Sequence, residues 1–448
     1  MTDFPSDFVW GTATSAYQIE GAVHEDGRGP SVWDTFSHTP GRTRNGDTGD
    51  IACDHYHRYG DDIDLMADLG VGAYRFSVAW PRVMPQGRGE ANARGLDFYD
   101  RVVDALLARN IQPWLCLHHW DMPQPIEDAG GWRSRDTAAW FAEYGAVVMR
   151  RLGDRVRYAA PINEPNVIPW VAYDLGVHAP GRQSRDDVIK AIHHVNLAHG
   201  LAISAIRSEA PAVKAGSIIS LGPVHPARDD DAHRQAAELV DCFWRRVMCD
   251  PIWLGTYPEP LAREVAPLVK PGDLEVISQP LDFFGLNHYN RMYAAPDPTR
   301  SFGVADVAPP AGVPLTDVGW QIDPSGLLEQ LRDVTARYNA PPIFITENGG
   351  AFPDKAGASG QVQDDDRIAY FNGYLGAVLG GVEEGIDIRG YFIWSLLDNF
   401  EWAEGYAKRF GIVRVDYETQ RRTPKASYHW LRQLIAENRL SPIPAAAE

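Results

Sequence analysis

The strongest constraint on this chain is a recurring pattern: short apolar runs separated by longer stretches with helical spacing. Eight such runs occur, Phe8 to Gly11, Ala73 to Ala79, Gln112 to His118, Tyr158 to Asn163, Lys214 to Ser220, Phe283 to Asn287, Ile343 to Glu347 and Gly390 to Ser395. The segments between them carry apolar residues three and four apart, as in Tyr99, Val102, Val103, Leu106 and Leu107 after the second run. Runs without polar alternation suit a parallel sheet covered on both faces. Eight strand-helix units then predict an α/β fold, a single (β/α)8 TIM barrel with elaborated βα loops. No Gly/Ser linker, low-complexity tract or short repeat divides the chain, and hydrophobic residues make up 44% of it. One domain over 1–448 is therefore expected.

In such barrels the chemistry sits just past the carboxyl ends of the strands. The seventh run ends in Thr346-Glu347-Asn348-Gly349-Gly350, an apolar stretch stopped by a carboxylate and a flexible turn. A lone glutamate there more often caps a helix or pairs with an arginine. The fourth run, however, ends in the same way, at Asn163-Glu164-Pro165, where proline cannot donate to a sheet ladder. Two glutamates at the tips of separate strands could face each other across the barrel mouth, one as acid and one as nucleophile. The other strand ends carry Gln18, Arg75, His118-His119-Trp120, Asn287-His288-Tyr289, Trp394 and Asn399-Phe400-Glu401-Trp402. Amides, carboxylates and imidazole hydrogen-bond hydroxyls, and indole faces stack on sugar rings.

A formal net charge of −18 argues against nucleic acid or an anionic membrane as partner. Cys53, Cys116, Cys242 and Cys249 lack CxxC spacing and read as reduced, buried thiols. Met1-Thr2-Asp3-Phe4-Pro5 is not a basic segment followed by an apolar one, and no run is long enough to span a bilayer, so a cytoplasmic location is expected. His55 and His57, near Asp61 and Asp62, lie on a helical pattern where residues two apart do not share a face, so no metal is expected. His193-His194 reads as two directions on one helix. Gly349-Gly350 and Gly380-Gly381 lack a phosphate-cradle pattern, and no cofactor is expected.

Taken in order, Phe8-Val9-Trp10-Gly11-Thr12-Ala13-Thr14-Ser15-Ala16-Tyr17-Gln18-Ile19-Glu20-Gly21, Leu117-His118-His119-Trp120-Asp121, Asn163-Glu164-Pro165, Thr346-Glu347-Asn348-Gly349 and Trp394-Ser395-Leu396-Leu397-Asp398-Asn399-Phe400-Glu401-Trp402 resemble glycoside hydrolase family 1, the β-glucosidase and β-galactosidase family. The resemblance covers almost the whole chain. It departs at Asn290, where the family more often has Ser or Thr.

The resemblance implies Glu347 as nucleophile and Glu164 as general acid/base in a double displacement that retains the β configuration, with the carboxyl groups about 5 Å apart. A charge on Glu347 is expected to keep Glu164 protonated until the glycosyl-enzyme forms. Arg75 and Tyr289 resemble the family's partners of the nucleophile. Gln18, His119, Asn163, Asn287, Tyr289, Trp394, Glu401 and Trp402 resemble its sugar-binding residues, Asn163 meeting the 2-hydroxyl and Trp394 lying under the ring. Trp320 resembles the aromatic platform for the leaving group. Trp170 and His178 are candidates for the same entrance, with loop packing an equal explanation.

The expected partner is a small-molecule β-glycoside or oligosaccharide, most simply a neutral glucoside; homo-oligomerisation is left open. Phospho-specific relatives place Ser, Lys and Tyr where this chain has Glu401, Lys408 and Phe410. The alternatives are a non-catalytic sugar-binding barrel, a β-galactosidase, a 6-phospho-β-glycosidase or a transglycosylase.

Overall fold

The computed structural model describes residues 2–357 and 360–441. Its centre is a closed barrel of eight parallel strands, Val9–Ala13, Ala73–Ser77, Gln112–His118, Tyr158–Ile162, Lys214–Ser220, Phe283–Asn287, Ile343–Asn348 and Ile388–Trp394. Each strand pairs with the next in the chain, and the first closes on the eighth with Val9 opposite Gly390 and Ala13 opposite Trp394. All eight expected runs form strands. The ends differ by a few residues: the second stops at Ser77 before the short helix Trp80–Val83, and the eighth begins earlier, at Ile388.

The barrel is packed, not hollow. Trp114, Phe283, Phe344 and Phe392 fill its interior against Ala13, Ala73, Ala160 and Ile218. Trp114 stacks on Tyr158 with ring centroids 3.8 Å apart. Large rings fit only where facing positions are small: a Cβ on Gly11 would lie 2.4 Å from the Phe392 ring. A larger apolar layer lies between the strands and the surrounding helices.

The helix Ala93–Leu107 buries Tyr99, Val102, Val103 and Leu106 as expected, but Leu107 is 37% exposed. At about 100° per residue it lies roughly 80° round from Tyr99, at the edge of the apolar stripe.

The loops at the carboxyl ends carry structure of their own. They include the helix Ala16–Ile19, the π-helical segment Ile168–Asp174, a three-stranded sheet of Val224–Pro226, Met292–Pro296 and Val304–Val307, and the pair Val413–Val415 with Arg422–Pro424. A buried charge cluster fastens two of these loops. Lys425 bridges Asp354, after the seventh strand, and Asp398, after the eighth, while Arg367 and Arg409 complete the pairing. Buried charges of this kind are tolerated only when paired, and removing one partner leaves another uncompensated.

All four cysteines are free and buried. Among the described residues no helix is long and apolar enough to cross a membrane. His55 binds Asp62, which also holds Arg422, whereas His57 binds Asp54 and Glu25. His193 and His194 are both core residues, the first bonded to Asp273 and Tyr257 and the second to the Trp132 carbonyl.

Candidate active site

Glu347 lies inside the seventh strand and Glu164 just past the fourth, and both are buried. Arg75, 1% exposed in the second strand, donates from Nη1 to Glu347 Oε1 at 2.5 Å and from Nη2 to Asn163 Oδ1 at 2.5 Å. Tyr289 donates its hydroxyl to Glu347 Oε2. Asn287 Nδ2 donates to Glu164 Oε1 at 2.8 Å and to Asn163 Oδ1 at 3.1 Å, and is itself oriented by Thr346 Oγ1, 2.7 Å from its Oδ1. Asn163 thus links the arginine on one glutamate to the amide on the other.

Backbone geometry fixes these positions. Glu164 has φ +48°, a left-handed conformation held by its N–H bond to the Ile218 carbonyl. Gly349 follows the seventh strand where a Cβ would lie 1.7 Å from the Trp394 carbonyl oxygen, so the turn after Glu347 requires glycine.

Of the three glutamates at the mouth, only Glu347 is paired with the Arg75 guanidinium. Burial, and then the charge of Glu347, pushes Glu164 up to about 8. Burial, and then Glu347, also pushes Glu401 up to about 8. Burial raises Glu347 as well, but Arg75 and Tyr289 oppose it, so Glu347 is the carboxyl of the trio that carries the charge. The neighbouring carboxylate was expected to be what keeps Glu164 protonated. Removal from water is the larger cause, and the neighbour adds to it.

This proton has a stability signature. The folded pKa of Glu164 is raised above 4.5, so its contribution is full below about 4.5 and is lost as pH rises toward about 8. Glu164→Gln removes that dependence. Its melting temperature relative to the parent is expected to climb between about pH 5 and pH 8, by on the order of a few degrees. Calorimetry over a pH series checks this; a difference that stays flat contradicts the buried, neutral carboxyl.

The remaining candidates gather at the same mouth. Gln18 donates from Nε2 to Asn399 Oδ1 at 3.0 Å, the Phe400 carbonyl at 2.9 Å and Glu401 Oε2 at 3.4 Å, and accepts from Ser15 at 2.6 Å. His119 is held neutral by burial and by Arg75. Its Nε2 faces the Asn163 amide nitrogen at 3.0 Å, which assigns the proton to Nδ1, a position with no protein partner. Trp394 and Trp402 flank His119, each with centroids 5.8 Å away. Trp320 is half-buried beside Tyr289, at 5.2 Å.

His119, Glu164, Tyr289, Trp320, Glu347, Trp394, Glu401 and Trp402 all line one cavity of about 810 Å³. Trp170 and His178 line it too, and His178 packs on Trp33, Trp120 and Trp402. Arg75, Asn163 and Asn287 stand behind this lining and bond to the glutamates; Gln18 stands behind Glu401.

Two features are only faintly marked in the sequence. One is the bond from Asn287 to Glu164, for which the only hint was an amide at the end of a strand. The other is Asp121, fully buried, its carboxyl pushed up to about 7 by burial, with His118 Nδ1 3.9 Å away. The Trp-Asp dipeptide after the third strand could have marked Asp121, but not its burial.

A closed eight-stranded barrel with two buried glutamates at the carboxyl ends of the fourth and seventh strands defines the class, a barrel built for carboxylate chemistry on a ligand in its mouth. The Glycosyl hydrolase family 1 model matches residues 1–440, and the chain belongs to that family. It is 43% identical to Beta-glucosidase A of Thermotoga maritima over 98% of each chain. It is 49% identical to Thermostable beta-glucosidase B of Thermobispora bispora, covering 98% of this chain and 91% of that one. The structure of the Thermotoga maritima β-glucosidase in complex with deoxynojirimycin superposes with a TM-score of 0.94 at 42% identity, over 98% of this chain and all of that one.

Proposed function

We propose that this family 1 enzyme is a β-glucosidase, acting as a single catalytic domain that releases non-reducing terminal β-D-glucosyl residues from neutral glycosides by double displacement. The observation that carries the reading is the asymmetry of the two glutamates: Glu347 is held by Arg75 and Tyr289, while Glu164 touches no cation and is pushed up to about 8. Glu347 attacks the anomeric carbon and Glu164 protonates the departing oxygen. Once Glu347 is bonded to sugar its charge is gone, Glu164 ionises more readily, and it takes a proton from the incoming water. In this reading the Asn163 amide serves the 2-hydroxyl, His119 and Glu401 serve other hydroxyls, and Trp394 serves the ring face. A net charge of −18 disfavours polyanionic partners.

A neutral substrate is favoured over a 6-phosphoglycoside. Lys408 is engaged by Asp317, through its carbonyl at 2.5 Å and its carboxylate at 3.2 Å, and Phe410 is buried; among the described residues lining the cavity, each cation has an acid beside it. Glu401 carries a proton near neutral pH, so it acts by hydrogen bonding more than by repulsion. An aryl β-glucoside is expected to show kcat/KM on the order of a hundredfold above its 6-phosphate. A higher value for the phosphate overturns the neutral-substrate reading, and saturable binding without turnover of either supports a sugar-binding barrel.

A further inference from the structure

The cavity of about 810 Å³ is of the size that encloses a drug-sized ligand rather than one sugar ring. Its floor is the strand-end machinery already described. Its outer wall comes from the loops, among them the Ile168–Asp174 segment and the Val304–Val307 strand. Here Trp170, Leu175, Trp244 and Val304 give apolar surface.

The charges in this wall do not balance. Each lining cation faces an acid: Arg44 meets Glu404 at 2.9 Å, Lys408 meets Asp317 at 3.2 Å, and Arg300 lies 3.8 Å from Asp297. Among the described residues, two acids of the outer wall form no ion pair with a cation, and neither do Glu164 and Glu401 on the floor. Asp174 is 7% exposed, and its Oδ1 has no hydrogen-bond partner. Asp306 is open to the cavity and is held by backbone N–H groups alone, those of Tyr293 at 3.3 Å and Val307. A buried carboxylate oxygen without a partner is costly, and such a group next to a cavity is satisfied when a donor enters.

We infer that the outer chamber is a subsite for the leaving group that selects cationic over anionic aglycones, with Asp174 and Asp306 as its charge-selecting residues. An ammonium group on an aromatic or alkyl body meets both halves of this wall: the carboxylates attract the charge, and the Trp170 and Trp244 indoles accept the body and the cation on their faces. A carboxylate-bearing aglycone meets two acidic side chains without a cation, inside a chain of net charge −18. The inference rests on the β-glucosidase reading, since an aglycone is defined only for a glycoside that is cleaved.

The test uses three phenyl β-glucosides bearing para-CH2CH2NH3+, para-CH2CH2OH or para-CH2CH2COO−, the ethylene spacer keeping the phenolates similar as leaving groups. The assays are run at about pH 7.5, where an exposed carboxyl such as Asp306 is ionised. For the parent enzyme, kcat/KM is expected to fall in the order ammonium, hydroxyl, carboxylate, with the first exceeding the last by about tenfold or more. Asp306→Asn and Asp174→Asn should each shrink that ratio, and the double variant should bring it near one. A ratio at or below one in the parent, or a ratio unchanged in both single variants, overturns the subsite. Failure to turn over even the hydroxyl compound instead overturns the glycosidase reading beneath it.

Discussion

Glu347→Ala is expected to lower kcat/KM for a nitrophenyl β-glucoside by on the order of 10⁵-fold, with the fold intact. No other carboxylate can take the place of Glu347. Glu164 is tied to Asn287 and Glu401 to Gln18, and neither makes an ion pair with Arg75. Arg75 and Tyr289, built to hold a carboxylate, are left facing a void, and a small anion added to the solution has a ready site between them. Activity measured with circular dichroism checks the claim. A loss under about tenfold, with native spectra, would move the nucleophile elsewhere.

Glu164→Ala is expected to divide substrates by how much help their leaving groups need. For poor leaving groups, kcat should fall by about 10² to 10⁴, the range of general acid catalysis. A dinitrophenolate departs unaided, so with that substrate the first step should survive and the glycosyl-enzyme on Glu347 should accumulate. Water then attacks slowly because the base is missing, and KM falls with kcat. A stopped-flow burst of dinitrophenolate, close to one equivalent per enzyme, is the expected record. An equal loss for good and poor leaving groups contradicts the role of Glu164.

The barrel was legible because its signal is local. Each strand is a short apolar run, and each helix shows its stripe within a dozen residues, so counting to eight required no long-range information. The glutamates were legible for a related reason, since a carboxylate that stops an apolar strand stands out at once. Other features arise between distant segments. The Asn287–Glu164 bond joins residues 123 positions apart, and nothing periodic records it.

That burial outweighs the Glu347 charge in raising Glu164 depends on how completely the loops cover it, a property of the folded chain as a whole. The same holds for Lys425, an ordinary lysine in sequence that proves to be fully buried between two aspartates. Leu107 shows the opposite error, an apolar residue with helical spacing that the last turn leaves in solvent.

The central claim is the division of labour between the two glutamates, and azide tests it most directly. With Glu164→Ala and a dinitrophenyl β-glucoside, azide needs no base and enters the space the carboxylate vacated. It should speed turnover and yield the β-glucosyl azide, the product of two inversions. With Glu347→Ala a single inversion on the substrate should give the α-azide. The anomeric configuration of the two products, read by the proton NMR coupling at the anomeric carbon, decides the matter. β from Glu164→Ala and α from Glu347→Ala is the predicted result, and the reverse pairing would contradict the assignment.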